Sequence, residues 1–225
     1  MNKNITKALA GAFWLLLPLF SLVMVSCSEE DDSVEEFPNW QENNEKFFNN
    51  LYAEATQRIA AGDHSWKLLP KWSLQDSLHL SASDYVIAHV KQEGTGTLSP
   101  IYSDTVYVHY QGHLLPSTTY ASGFIFEQTW PKDYDMQTMM ATKMGVSQTL
   151  VPVTSNSTTT YQYAANIDGF TTVLMHMHQG DRWEVYIPYQ LGYGTEDHTG
   201  NSGTIPAYST LVFDLTLASF KHAGE

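Results

Sequence analysis

Apolar residues recur at Trp40, Phe47, Phe48, Leu51, Ala55 and Ile59. That spacing returns to one face of a helix every three or four positions and predicts a helix over 40–61, with Gly62 as its stop. The apolar face must be covered. Packing on the rest of the chain is the simplest way; a second subunit, making a homodimer, or another partner are the alternatives. Residues 63–80 carry Trp66, Leu68, Leu69, Trp72 and Leu74 without a clear period and read as an apolar connector.

From Asp84 the pattern changes to short strands. Tyr85 to Val90 is rich in β-formers, and Glu93-Gly94-Thr95-Gly96 reads as a turn. Thr105 to Leu115 alternates, with Val106, Val108 and Tyr110 on one face and Tyr107, His109 and Gln111 on the other. Residues 128–160, polar and rich in Thr and Met, show no period and read as a long excursion, mostly loop. A short helix is predicted from Asp168 at its cap, with Phe170, Val173, Leu174 and Met177 on one side and Gly180 at its end. Trp183 to Ile187 and Ser209 to Phe220 read as strands, separated by a loop over 188–208. Many strands around one short helix indicate an α+β domain with an antiparallel sheet.

The first 27 residues are of another kind. Lys3 and Lys7 precede an apolar run from Ala8 to Val25, and Ser26 precedes Cys27, the sole cysteine. This is the layout of a secretory leader; a retained anchor helix is the alternative. Met24-Val25-Ser26-Cys27 resembles a bacterial lipobox, which implies cleavage before Cys27 and lipidation of that residue. The acidic stretch that follows, from Glu29 to Glu36, reads as a solvated tether. It also resembles export signals of some Gram-negative surface lipoproteins, so the expected location is the cell envelope, on the outer membrane. The organisation is then a leader over 1–26, an acidic flexible tether over 27–38, a helical extension and connector over 39–83 and a folded domain over 84–225.

Charge and cysteine count narrow the function. With 11 Lys and Arg against 24 Asp and Glu, the chain carries −13 and is a poor partner for nucleic acid. A single Cys excludes an internal disulfide framework and a cysteine-rich zinc site. The nine His include His109 and His113 on one strand face and His176 and His178 near a helix end, with no carboxylate spacing that makes them ligands. No metal and no cofactor are expected.

Three segments stand in order: Val106-Tyr107-Val108-His109-Tyr110-Gln111-Gly112; Ile167-Asp168-Gly169-Phe170 running to Gly180-Asp181-Arg182; and Ile187-Pro188 with Leu191-Gly192-Tyr193-Gly194 and Ile205 to Asp214. Together they resemble the FKBP-type peptidyl-prolyl cis-trans isomerases, over about residues 84 to 220. The resemblance implies a curved antiparallel β-sheet wrapped around a short helix, with an apolar pocket between them. It places Tyr110 on the family's pocket tyrosine, Phe126 on the Phe of a Phe-Asp pair and Glu127 on the Asp of that pair. Ile167 falls on the residue whose backbone N–H bonds the ligand, and Phe170 on the tryptophan of the pocket floor. Tyr193 falls on the tyrosine that bonds the substrate carbonyl, and Phe213 on the phenylalanine of the last strand. His198 and Ile205 of the 188–208 loop, with Tyr161, complete the expected substrate contacts; Met144 is the alternative to Tyr161.

The implied chemistry is rotation about X–Pro bonds of proline-containing polypeptides, which needs no nucleophile, metal or cofactor. Glu127 is one methylene longer than the family's Asp, which implies a displaced carboxylate, and Phe170 lacks the indole N–H. Together the two changes imply altered macrolide affinity before loss of isomerisation. The alternative is an FKBP-like binding or chaperone module without turnover, as a docking protein or a subunit of an envelope assembly.

Overall fold

The computed structural model describes residues 34–75, 77, 79–130, 135, 139–155, 157–200 and 202–224. The leader 1–26 and Cys27 lie outside the described residues. So does most of the tether, but residues 34–38 do not hang free. Glu36 accepts hydrogen bonds from the Ser117 hydroxyl and from the backbone and hydroxyl of Thr119. The Phe37 ring meets Trp40 edge-on, with 4.8 Å between centroids.

Helix α1 (Trp40–Ala60) forms where the apolar spacing places it. Its apolar face is covered by its own chain. Phe48 and Ala55 pack with Ile87, surrounded by Leu51, Tyr52, Trp66, Leu68 and Tyr186. Its first turns are also held by hydrogen bonds. Trp40 Nε1 donates to Ser209 Oγ at 2.8 Å, and Asn44 Oδ1 accepts the buried Thr210 N–H at 2.7 Å.

The unassigned connector supplies a strand, β1 (Trp66–Pro70), whose pairing with β2 (Tyr85–Gln92) turns 63–80 from linker into sheet edge. The remaining strands are β3 (Thr105–His113), β4 (Ile125–Gln128), β5 (Thr142–Gly145), β6 (Gln148–Ser155), β7 (Thr158–Ala165), β8 (Arg182–Ile187), β9 (His198–Gly200), β10 (Gly203–Ile205) and β11 (Leu211–Lys221). The main sheet runs β1-β2-β8-β11-β3-β4, and β5 pairs with the first half of β3. All its pairs are antiparallel. Register shifts between Val90 and Gln92 and between Leu217 and Ser219 mark bulges, which bend strands and increase their twist. Alternation sends Val86, Ala88, Val106, Val108, Val185, Ile187, Phe213 and Leu215 into one core.

Helix α2 (Asp168–Leu174) sits in that core, and every residue from Gly169 to Leu174 is buried. Its ends differ from the expected ones. Ile167, not Asp168, is the N-cap, and the helix stops at Leu174. Gly180, at φ 92, lies beyond it in a turn where the backbone of Gly94 passes. Asp168 instead stands on the first turn and accepts Lys71 Nζ at 2.7 Å and Trp72 Nε1 at 3.0 Å.

The excursion over 128–160 is not mostly loop. It contains β5 and most of a two-stranded ribbon, β6–β7, which pairs Gln148 with Ala165 and Ser155 with Thr158. Most of the ribbon's described side chains are exposed, so no face of it needs to be apolar and no two-residue period marks it. The 188–208 loop carries the small hairpin β9–β10.

Asn44→Ala should lower the free energy of unfolding by about 1–3 kcal/mol, because it strands the buried Thr210 N–H. Asn44→Asp keeps the acceptor and should recover part of the loss. Urea unfolding checks both, and an unchanged midpoint for Asn44→Ala would contradict this account of how α1 is held.

Candidate functional site

The site is built on β3, β4, β11 and the N-terminus of α2. Phe126 of β4, Phe170 of α2 and Phe213 of β11 are buried, at 7%, 5% and 3% exposure. Phe213 meets Phe126 at 5.5 Å and Phe170 at 5.2 Å, both edge-on, and the Tyr110 ring of β3 lies 5.5 Å from Phe170. Edge-to-face packing is the arrangement aromatic quadrupoles prefer. These four rings make a continuous apolar floor.

Gly112 makes that floor possible. A Cβ there would stand 2.5 Å from Phe126 Cζ and 2.7 Å from Phe213 Cε1. Any side chain would drive the two rings off β3. The sequence motif contained this glycine without marking its role. Thr129 was missed too: its hydroxyl accepts the Tyr110 N–H at 3.0 Å and its own N–H donates to Tyr110 O at 2.9 Å, which fixes the Tyr110 backbone.

The polar groups lie around this floor. Tyr110 donates its hydroxyl to Glu127 Oε1 at 2.7 Å, so the longer carboxylate still reaches the tyrosine. Register places Glu127 opposite Gly112, next to Phe126. Tyr193 packs against the core and stacks on His198, with centroids 3.9 Å apart and planes 10° from parallel. His198 is exposed on β9, and Ile205 of β10 is 3% exposed in the same core. Ile167 packs against the core with an extended backbone at φ −61 and ψ 144. Its carbonyl accepts the N–H groups of Phe170 and Thr171, and its own N–H has no hydrogen-bond partner among the described residues.

The one expected contact that the structure does not bring in is Tyr161. It stands on β7, 65% exposed, because the segment carrying it is a strand of an exposed ribbon and not a loop. Met144, the alternative, pairs with Val106 on β5 and packs against the core.

Burial raises the Tyr110 hydroxyl far above the usual tyrosine range, and the Glu127 charge and hydrogen bond push the same way. Burial raises Tyr193 as well, with Glu127 adding to it. Both hydroxyls are therefore neutral donors at physiological pH. The arrangement can hold a compact apolar group on an aromatic floor while hydroxyl and amide donors engage carbonyls beside it.

A small helix clasped by a curved antiparallel sheet, with this donor-rimmed aromatic cluster between them, defines the domain as α+β. The chain belongs to the FKBP-type peptidyl-prolyl cis-trans isomerase family, whose profile matches residues 97–218, just over half its length. Among curated proteins it is 33% identical over 132 residues to the macrophage infectivity potentiator of Trypanosoma cruzi, covering 59% of this chain and 51% of that one. It is 32% identical over 131 residues to the outer membrane protein MIP of Legionella longbeachae, covering 58% and 42%. The chain thus spans about half the length of the curated relatives it matches. A solved peptidyl-prolyl cis-trans isomerase from Pseudomonas syringae pv. tomato is similar with a TM-score of 0.45 and 20% identity, over 81% of this chain and 96% of that one.

The raised tyrosines have a consequence for stability. A group whose folded pKa lies above its unfolded value of about 10 stabilises fully below that value and loses this contribution as pH rises past it. Urea midpoints should therefore fall above about pH 10, and Tyr110→Phe should flatten the fall. Equal slopes in the two proteins would remove Tyr110 as a cause.

Proposed function

We propose that this chain is a peptidyl-prolyl cis-trans isomerase that accelerates rotation of X–Pro bonds in folding or exported polypeptides. The observation that carries this reading is the closed Tyr110–Glu127 hydrogen bond beside the Phe126, Phe170 and Phe213 floor.

The reaction breaks and makes no covalent bond. Its barrier of about 18–20 kcal/mol is the loss of amide resonance. As the C–N bond twists, the carbonyl loses charge separation, so a dry apolar site favours the twisted amide relative to the planar one. The phenylalanines seat the pyrrolidine ring and exclude water. The Ile167 N–H and the Tyr193 hydroxyl donate to carbonyls on either side of the proline and hold the flanking chain in a turn. Glu127 fixes the Tyr110 hydroxyl and so keeps the rim of the floor in place. His198, stacked on Tyr193, orients that ring, and Ile205 belongs to the core that Tyr193 packs against.

The remaining features fit a lipoprotein of the cell envelope. Residues 1–26 are a leader, Cys27 carries the lipid, the acidic stretch to residue 38 joins it to α1, and the outer membrane is the destination. Loss of 1–26 removes both early lysines and no carboxylate, leaving 9 basic and 24 acidic side chains, or −15. Because α1 lays its apolar face on its own sheet, a monomer is favoured over a homodimer built on that face. Glu127 reaching Tyr110 favours turnover over a docking module without it.

In a protease-free, proline-limited refolding assay the full chain in mild detergent should be active. Tyr193→Phe should cut kcat/KM by about five- to tenfold, the worth of one hydrogen bond of about 1–1.4 kcal/mol. A folded wild-type chain without activity would overturn the isomerase reading. In cells, Cys27→Ser should abolish lipid labelling and move the protein from the membrane fraction to the soluble one; retention in the membrane would instead support an anchor helix.

A further inference from the structure

The exposed apolar surface of the β6–β7 ribbon has no role in the site just described. Tyr163, Tyr161 and Leu150 are 70%, 65% and 51% exposed. Register pairs Leu150 with Tyr163 and residue 152 with Tyr161, so Leu150, Tyr161 and Tyr163 share one face. From Met144 to Ile167 the chain has no Asp, Glu, Lys, Arg or His, in a protein that carries −13. At the root of the ribbon the same face opens on a cleft of about 580 Å³ lined by Tyr102, Met144, Leu150 and Tyr163 together with Lys143 and Asp104.

This face is close in the chain to the candidate site. Tyr163 precedes Ile167 by four residues, at most about 14 Å of extended chain. The ribbon's base is pinned there, because Asn166 Nδ2 donates to the carbonyls of Gly145 and Val146 at 2.9 Å. On the far wall, Tyr102 packs on Trp72 at 4.6 Å, and Trp72 bonds Asp168 of α2. The ribbon and the entrance of α2 are thus joined through the Asn166-Ile167-Asp168 step.

We propose that the Leu150–Tyr161–Tyr163 face and its cleft form a second binding surface, which takes apolar and aromatic residues of the unfolded polypeptide whose prolyl bond sits at Ile167. The proposal rests on the isomerase reading of the site. Such a substrate presents extended chain with exposed apolar side chains. Tyrosines suit it, because they offer large contact area at small entropic cost and bind many sequences. The ribbon face itself carries no charge and favours uncharged stretches, while Lys143 and Asp104 lie in the cleft at its root. A second copy of this chain is the poorer occupant, since two molecules at −13 repel.

The test places one negative charge on each face of the ribbon, as Tyr163→Glu and as Gln162→Glu, in the full chain held in mild detergent. Gln162 is exposed and alternates to the other face. Leu150→Ser is the second variant on the proposed face. Two quantities are measured: affinity for a permanently unfolded, carboxymethylated protein, and kcat/KM on a proline tetrapeptide too short to reach the ribbon. Tyr163→Glu should weaken binding of the unfolded protein by about tenfold, the size of losing an aromatic anchor. Leu150→Ser should weaken it less and Gln162→Glu hardly at all, with tetrapeptide turnover unchanged in all three. Unchanged binding in Tyr163→Glu, equal losses on both faces, or a parallel loss of tetrapeptide turnover would overturn the proposal. So would a dimer in sedimentation that Tyr163→Glu dissociates. A wild-type chain that binds the unfolded protein but does not turn over the tetrapeptide would overturn the isomerase reading instead, and the two failures are told apart.

Discussion

Seven residues of helix do not hold together in water. Nucleation costs more than so few hydrogen bonds return, and isolated helices need about 12–15 residues to become even marginal. Helix α2 exists because the sheet closes on it: its residues from Gly169 to Leu174 are buried. Side-chain bonds tie it down as well. Thr171 Oγ1 donates to Val146 O at 3.0 Å, Thr172 Oγ1 accepts the Trp72 N–H at 3.1 Å, and Asp168 takes Lys71 and Trp72. Site and core therefore share one constraint. The same burial that stabilises α2 sets Phe170 on Phe213 and leaves the Ile167 N–H at the helix entrance.

The site is an economical use of that core. Its floor consists of residues that a packed core needs anyway, and its chemistry comes from a few polar groups left at the rim. One carboxylate, Glu127, acts on both tyrosines. It accepts the Tyr110 hydroxyl directly, and its charge helps to keep Tyr193 protonated. One methylene more than Asp does not break this arrangement: from edge strand β4 the Glu127 carboxylate still meets the Tyr110 hydroxyl at 2.7 Å. The ribbon extends the same plan outward, as a second, uncharged surface rooted beside Ile167.

The legible parts of the fold were those with a buried side. The spacing of Phe48, Leu51 and Ala55 announces α1, and the alternation of Val106, Val108 and Tyr110 announces β3. Each sets apolar residues against a single core, and the period follows from that. Strand β1 and the ribbon were not legible. In β1 both faces are partly covered, one by α1 and one by the core, so Trp66 to Leu69 show no alternation. In the ribbon neither face is buried. The placement of Tyr161 failed for the same reason, since a strand without a core-facing side reads as loop.

The sequence by itself determined which residues could form the site. The resemblance carried by the three motif segments pointed to Tyr110, Phe126, Glu127, Ile167, Phe170, Tyr193 and Phe213, because those motifs are written residue by residue. It also determined the uncharged character of 144–167 and the acidity of the whole. Only the tertiary structure decided that Glu127 reaches Tyr110, that Gly112 must lack a side chain beneath two rings, that α1 covers its own sheet and that the ribbon stands clear. Those outcomes depend on contacts between residues far apart in the chain, whose distances are set by sheet register and helix burial and by no local signal.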